Sequence, residues 1–251
     1  MKPLLEVSGL TKRFGGLIAT DNLDLAVTAG ELHALIGPNG AGKSTVIGQL
    51  SGELRQDAGV IRFGGEDIST LPTPLRVRRG LTRSFQVTSI LPGFTALENL
   101  ATAAQIHAGH SFRFWRDARR DAALTEPAMT MLERLGLGAR AHFRAEELAH
   151  GEQRQLELGL ALATKPRMLL LDEPMAGLGP TESDAMTRML AGFKKQVTIL
   201  LIEHDMTAVF ALADRISVLV NGRVIASGAP DVIRRNQDVR TAYLGEGDEA
   251  F

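Results

Sequence analysis

The stretch LHALIGPNGAGKSTVIGQL, Leu32–Leu50, constrains this chain more than any other. An apolar run, Leu32–Ile36, leads directly into Gly37-x-x-x-x-Gly42-Lys43-Ser44, and a helical pattern follows at once. A glycine-rich turn between a buried strand and a helix lets successive backbone N–H groups point inward at phosphate oxygens, a geometry forbidden to bulkier residues. The helix adds its positive end at the same place. Lys43 is placed to reach β- and γ-phosphates, and the Ser44 hydroxyl to ligate Mg2+. The whole run of Gly37, Pro38, Asn39, Gly40, Ala41, Gly42, Lys43, Ser44 and Thr45 is expected to cradle a nucleotide.

Further apolar runs of strand length recur at Val60–Phe63, Leu81–Phe85, Met168–Leu171, Thr198–Ile202, Ile216–Val220 and Val224–Ala226. They alternate with helical patterns, which predicts an α/β fold. Runs such as MLLLD and TILLIE have no polar alternation, as suits a central sheet covered on both faces. Asn221-Gly222, between two apolar runs, reads as a tight hairpin turn. From about Gln86 to His150 strand signals vanish and polar helices take over, which predicts an inserted all-helical subdomain. Its basic run, Arg113, Arg116, Arg119 and Arg120, reads as a solvated helix face. No internal repeat is present.

Several function classes are excluded or disfavoured. The longest apolar runs fall far short of the roughly 20 residues that span a bilayer, and MKPLLEVSGL lacks the apolar core of a secretory leader. The chain is therefore expected to be soluble. A net charge of −1 argues against a nucleic-acid binder working by bulk charge. The absence of cysteine excludes a disulfide scaffold and a thiolate metal site, and fits a reducing cytosol.

MLLLDEP places Asp172 and Glu173 at the carboxyl end of a buried strand, where open α/β sheets bind ligands. Asp172 is suited to hold Mg2+ through water, and Glu173 to polarise an attacking water as general base. TILLIEHDM repeats the layout, so His204 is expected to contact a γ-phosphate rather than serve a structural role. Gln86 sits where a sheet strand hands over to the inserted helices, in reach of Mg2+ or the attacking water.

With Gly37–Ser44, Gln86, LAHGEQRQ, LLLDEP and IEHD in this order, the chain resembles the ATP-binding-cassette ATPases over nearly its whole length. The resemblance implies a P-loop NTPase with a RecA-like core, an N-terminal antiparallel β-subdomain, and ATP and Mg2+ as its ligands. The core would span 1–85 and 152–235, the helical subdomain with its signature loop 86–151, and a C-terminal tail 236–251. Phe14 falls where this family stacks an aromatic ring on adenine, the alternative being a core residue under the first strands. Ala149, His150, Gly151 and Glu152 would face the γ-phosphate held by a second subunit, in a head-to-tail dimer enclosing two nucleotides. A helix start offers unpaired N–H donors there, and Gly151 leaves room for close approach.

The chain departs from the family at Ala149 (usually Ser), Glu152 (commonly Gln) and Gly179 (usually Asp). A missing neutral hydrogen bond costs about 0.5–1.5 kcal/mol. Gly159, inside a helix, costs about 1 kcal/mol against Ala and has no functional explanation in the sequence. LAHGEQRQLEL, MAGLGP, LLIEHDM and VRTAYLGE narrow the resemblance to ATPase subunits of importers for branched-chain amino acids and related amides. This implies pairing with an identical or paralogous ATPase, two integral-membrane permease subunits and, indirectly, a solute-binding protein, with no nucleic acid. The chain would then be cytoplasmic, peripheral on the inner face of the cell membrane. Val87, Ile90, Leu91 and Phe94 are candidates for the permease contact or for a plain subdomain core. The alternatives are an exporter subunit, as in lipopolysaccharide transport, and a non-transport ATPase acting on DNA or ribosomes. A single phosphate loop and the lack of a coiled-coil insertion weigh against the last.

Overall fold

The apolar runs assemble into one six-stranded sheet in the computed structural model, which describes residues 2–84, 90–108 and 122–244. Its order is β10 (Arg223–Gly228), β9 (Arg215–Val220), β3 (Leu32–Ile36), β8 (Thr198–Ile202), β7 (Met168–Asp172) and β6 (Leu81–Arg83). All neighbours are parallel except the β9–β10 hairpin. Every residue of β3, β7 and β8 is buried, because alternate side chains enter two different cores. Leu32, Ala34, Ile36, Leu169, Leu171, Ile199 and Leu201 face one core, and Leu35, Leu170, Leu200 and Ile202 the other. Two-sided burial explains the unbroken apolar runs.

The second core is closed by the helix α1 (Lys43–Ser51) and by a four-stranded antiparallel sheet. Its order is β2 (Leu17–Thr28), β1 (Pro3–Phe14), β4 (Ala58–Phe63) and β5 (Glu66–Asp67). β1 and β2, twelve residues each, are the longest strands here, yet no apolar run announces them. Only one face is buried, and register shifts at several points break the alternation.

The first core is closed by helices: α3 (Ala96–Ala108), α4 (Ala122–Arg134), α5 (His150–Ala163), α6 (Pro180–Phe193) and α7 (Met206–Leu212). Between residues 90 and 149 the described residues hold α3, α4 and two short 3-10 turns, with one isolated bridge, Thr95–Arg144. The basic run Arg113–Arg120 lies outside the described residues. Gly159 has a packing explanation. A Cβ there would lie 2.4 Å from Leu135 Cδ1 and 3.2 Å from Leu100 Cδ2, so α5 approaches α3 and α4 too closely for a side chain. Overpacking costs about 1–3 kcal/mol, which outweighs the roughly 1 kcal/mol helix penalty of glycine.

The predicted turn is present, with Asn221 at φ 47° and Gly222 at φ 76°. It also braces the phosphate loop, since the Gly222 N–H donates to the Ala41 carbonyl at 2.9 Å. The opposite end of α1 is held by Arg76, from the helix α2 (Thr73–Arg78). Its guanidinium donates to the carbonyls of Gln49 (2.7 Å), Leu50 (2.8 Å), Leu71 (2.8 Å) and Ser69 (3.1 Å). Burial pulls its pKa down to about 10, which leaves it charged at neutral pH. Arg76→Ala strands these carbonyls and is expected to cost roughly 3 kcal/mol. Thermal denaturation should then show a melting temperature lower by about 6–12 °C; an unchanged melting temperature would contradict this capping role.

Candidate active site

Gly37 opens a loop that has no space for a side chain at two of its glycines, Gly37 and Gly42. A Cβ at Gly37 would lie 2.1 Å from the Leu219 carbonyl oxygen, where β9 passes. Gly42 adopts φ +107°, and a Cβ there would lie 2.2 Å from the Ala19 carbonyl oxygen. Strand β2 and the β9–β10 turn therefore press the loop into shape from outside, leaving its amides for the inside. Lys43, only 6% exposed, folds back so that its Nζ donates to the carbonyls of Gly37 and of Pro38, the latter at 2.9 Å.

Beside this loop lies an open cavity of about 280 Å3. It is lined by Asn39–Thr45 from the loop, by Phe14, Leu17, Ile18 and Ala19 from the antiparallel sheet, and by Glu173 and His204 from the strand ends. The structure thus unites predicted residues from three distant parts of the chain. Phe14 is 48% exposed, which rules out the core reading, and Lys12 Nζ sits 5.6 Å from its ring centroid.

Asp172 ends β7 with its side chain fully buried. Arg83 donates to Asp172 Oδ2 at 3.0 Å and also pairs with Glu53. The other oxygen, Oδ1, is buried without a hydrogen-bond partner. Burial pushes the Asp172 carboxyl above its ordinary pKa, Arg83 pulls against that shift, and Glu173 adds to it. An orphaned carboxylate oxygen beside a phosphate loop fits a cation better than it fits a purely structural role. Among the described residues no cluster of three or more His, Asp or Glu could hold a metal. A cation here would take its remaining ligands from phosphate, hydroxyl and water.

Glu173 has a left-handed backbone, φ +51°, that places its side chain against His204. His204 Nε2 and Glu173 Oε1 are 2.6 Å apart. The Glu173 N–H donates to the Ile202 carbonyl at 2.9 Å. Glu203, 4% exposed, is raised above the usual carboxylate range by burial, an effect opposed by hydrogen bonds from the N–H groups of Met175, His204 and Asp205.

The α5 start is elsewhere: Ala149, His150, Gly151 and Glu152 do not line the cavity. Ala149 has no side chain with which to cap the helix, and Glu152 Oε2 accepts the Ala149 N–H at 3.0 Å. Glu152 Oε1 also accepts from Arg140 Nε at 3.1 Å. Gly151 has an in-chain neighbour that the sequence did not announce, because a Cβ there would lie 2.7 Å from Glu182 Oε1. Glu182 in turn accepts the Gly179 N–H at 3.0 Å, so glycine at position 179 leaves the start of α6 capped from within. Gln86 and Val87 lie outside the described residues; Ile90 is buried, and Leu91 and Phe94 are exposed.

Sequence reasoning missed Arg83, Glu182 and Glu203. For Arg83 and Glu203 the available signal was a charged residue flush against a buried strand, as in GLTRSF and TILLIE, and for Glu182 an acid in the first turn of a helix.

Two family models match the chain. One describes an ABC transporter, over residues 20–176, and the other a branched-chain amino acid ATP-binding cassette transporter, over residues 223–249. A high-affinity branched-chain amino acid transport ATP-binding protein of Pseudomonas aeruginosa, BraF, is 42% identical, covering 98% of this chain and 99% of its own. The Escherichia coli protein LivG, of the same description, is 41% identical over the same shares. Among solved structures, the ADP conformation of MJ1267, an ATP-binding cassette of an ABC transporter, superposes with a TM-score of 0.86. It is 31% identical and covers 98% of this chain and 100% of its own.

Gly42→Ala is expected to weaken ATP binding by at least about tenfold, since a Cβ cannot coexist with the Ala19 carbonyl at this φ. Titration with a fluorescent nucleotide measures this, and wild-type affinity would contradict the loop geometry.

Proposed function

The chain belongs to the ABC transporter family and is an ATPase of it, and from that premise we propose that it powers import of branched-chain amino acids or related amides through separate permease subunits. The observation that carries the nucleotide-binding part of this reading is the cavity where the phosphate loop, Glu173 and His204 meet, and the branched-chain amino acid transport relatives support the rest.

In this reading the amides of Gly37–Thr45, Lys43 and the α1 dipole hold the β- and γ-phosphates, and Phe14 stacks on the adenine. Glu173 accepts a proton from the attacking water. His204 exchanges its contact with Glu173 for one with the γ-phosphate. Ser44, Asp172 and Gln86 would hold Mg2+, which supplies charge neutralisation to the phosphates when bound. Asp172 Oδ1, buried and unpartnered, supports its part in this set.

The α5 start, Ala149–Glu152, serves the nucleotide of a second chain, identical or paralogous, in a head-to-tail dimer. Its separation from the chain's own cavity supports that role. ATP then closes the dimer and hydrolysis releases it, because only the third phosphate bridges the chains. Residues 1–85 and 152–235 act as the nucleotide-binding core, 86–151 as the helical subdomain and 236–251 as the tail. An apolar cleft of about 250 Å3 lined by Val77, Arg83, Glu157, Leu160 and Ala161, all within that core and none of them among Val87, Ile90, Leu91 and Phe94, supports docking of a permease helix. That docking would place the chain on the inner face of the cell membrane. No described helix is long and apolar enough to cross a membrane itself.

Glu173→Gln is expected to retain ATP binding while phosphate release falls by roughly 10²–10⁴-fold, and sedimentation should then show an ATP-dependent dimer. A variant that stays monomeric with ATP and hydrolyses it normally would overturn the assignment.

A further inference from the structure

We propose that Glu203 is a positioning residue for hydrolysis, whose buried carboxylate locks the loop carrying Glu173 to the loop carrying His204. Its Oε1 accepts the Met175 N–H at 2.8 Å, across to the β7 side, and its Oε2 accepts the His204 N–H at 2.9 Å in its own loop beyond β8. The Asp205 N–H donates to the same carboxylate. One side chain therefore ties together two segments that no backbone ladder joins beyond the strand ends.

The need for such a tie follows from the local backbone. Glu173 is a non-glycine residue at φ +51°, a conformation that persists only where its surroundings over-determine it. The next residue, Pro174, has no N–H to hold. The amides on either side of Pro174 are instead held by consecutive groups at the end of β8: the Ile202 carbonyl holds Glu173, and the Glu203 carboxylate holds Met175. Beyond Met175 the loop passes Gly177, where a Cβ would lie 3.5 Å from His150 Cε1. It ends at Gly179, bound to Glu182, which packs on Gly151. The carboxylate therefore also anchors the segment that leads to the α5 start. A displacement of His204 is passed to Met175, and onward to the face offered to a second chain.

This inference rests on the roles assigned above to Glu173 and His204, so Glu173→Gln and His204→Ala belong in the same experiment. The test variants are Glu203→Gln, which turns one acceptor into a donor facing an N–H, and Glu203→Asp, which keeps the charge but is too short to reach both loops. For both, kcat should fall roughly 10–100-fold while the KM for ATP stays within about twofold, since misplaced catalytic groups cost rate rather than binding. Hydrogen exchange with a non-hydrolysable ATP analogue gives an independent readout. The peptide covering Met175–Gly179 should lose its nucleotide-induced protection in the variants, while the peptide covering Gly37–Thr45 keeps it. Wild-type kcat in both variants, or a general rise in exchange with KM and kcat altered together, would overturn the proposal. If Glu203→Gln does not fold, Glu203→Asp decides by the same readouts. Wild-type hydrolysis by Glu173→Gln and His204→Ala would instead show that the underlying site assignment had failed.

Discussion

The parallel register of three buried strands is the constraint on which this molecule depends. Ala34 of β3 is level with Leu201 of β8, and Asp172 of β7 is level with Ile202. The three strands therefore release the chain at one height, where Gly37, Glu173 and His204 emerge side by side. Two cores enforce that height, because a one-residue slip would turn every side chain of a strand into the wrong core. Packing chemistry far from the nucleotide thereby sets the spacing of the groups that would act on it.

Two buried carboxylates at these strand ends show how the same residue type is put to different uses. Burial raises the pKa of both Asp172 and Glu203. Glu203 accepts a backbone N–H on each of its oxygens, from Met175 and from His204. Asp172 is met on one oxygen by Arg83 and on the other by nothing. A buried acceptor left open is costly unless a ligand satisfies it, so the open oxygen of Asp172 is consistent with the cation role proposed for it, whereas both oxygens of Glu203 are already taken up by the protein. Arg83 adds a second consequence, since it lines the apolar cleft and touches Asp172 at once. The surface proposed for a permease helix and the acid proposed for the cation are one side chain apart.

Much of this was legible in the residues. The bounds of β3 and β8 follow directly from their apolar runs, and the Asn221-Gly222 turn from its dipeptide. The phosphate loop, the strand-end acids and His204 follow from strand context. What stayed hidden has physical reasons. β1 and β2 bury one face only and carry register shifts, so no run of apolar residues marks them. The run expected at Leu81–Phe85 is a strand only over Leu81–Arg83 among the described residues. Gly159 reads as a defect until Leu135 and Leu100 are seen against it. Gly151 reads as space kept for a partner's phosphate, although Glu182 of the same chain already approaches it. Contacts between Glu203 and Met175, 28 residues apart, have no signature that spacing could reveal.

The α5 start stands apart from the cavity of its own chain, and in the head-to-tail dimer proposed above the nucleotide site of one chain is incomplete without the other. Such a divided site has a kinetic signature. The measurement is the rate of ATP hydrolysis per chain over a wide range of chain concentration. A site shared between two chains predicts specific activity that rises with concentration and saturates once the dimer is fully formed. Specific activity that stays constant down to the most dilute sample would contradict it.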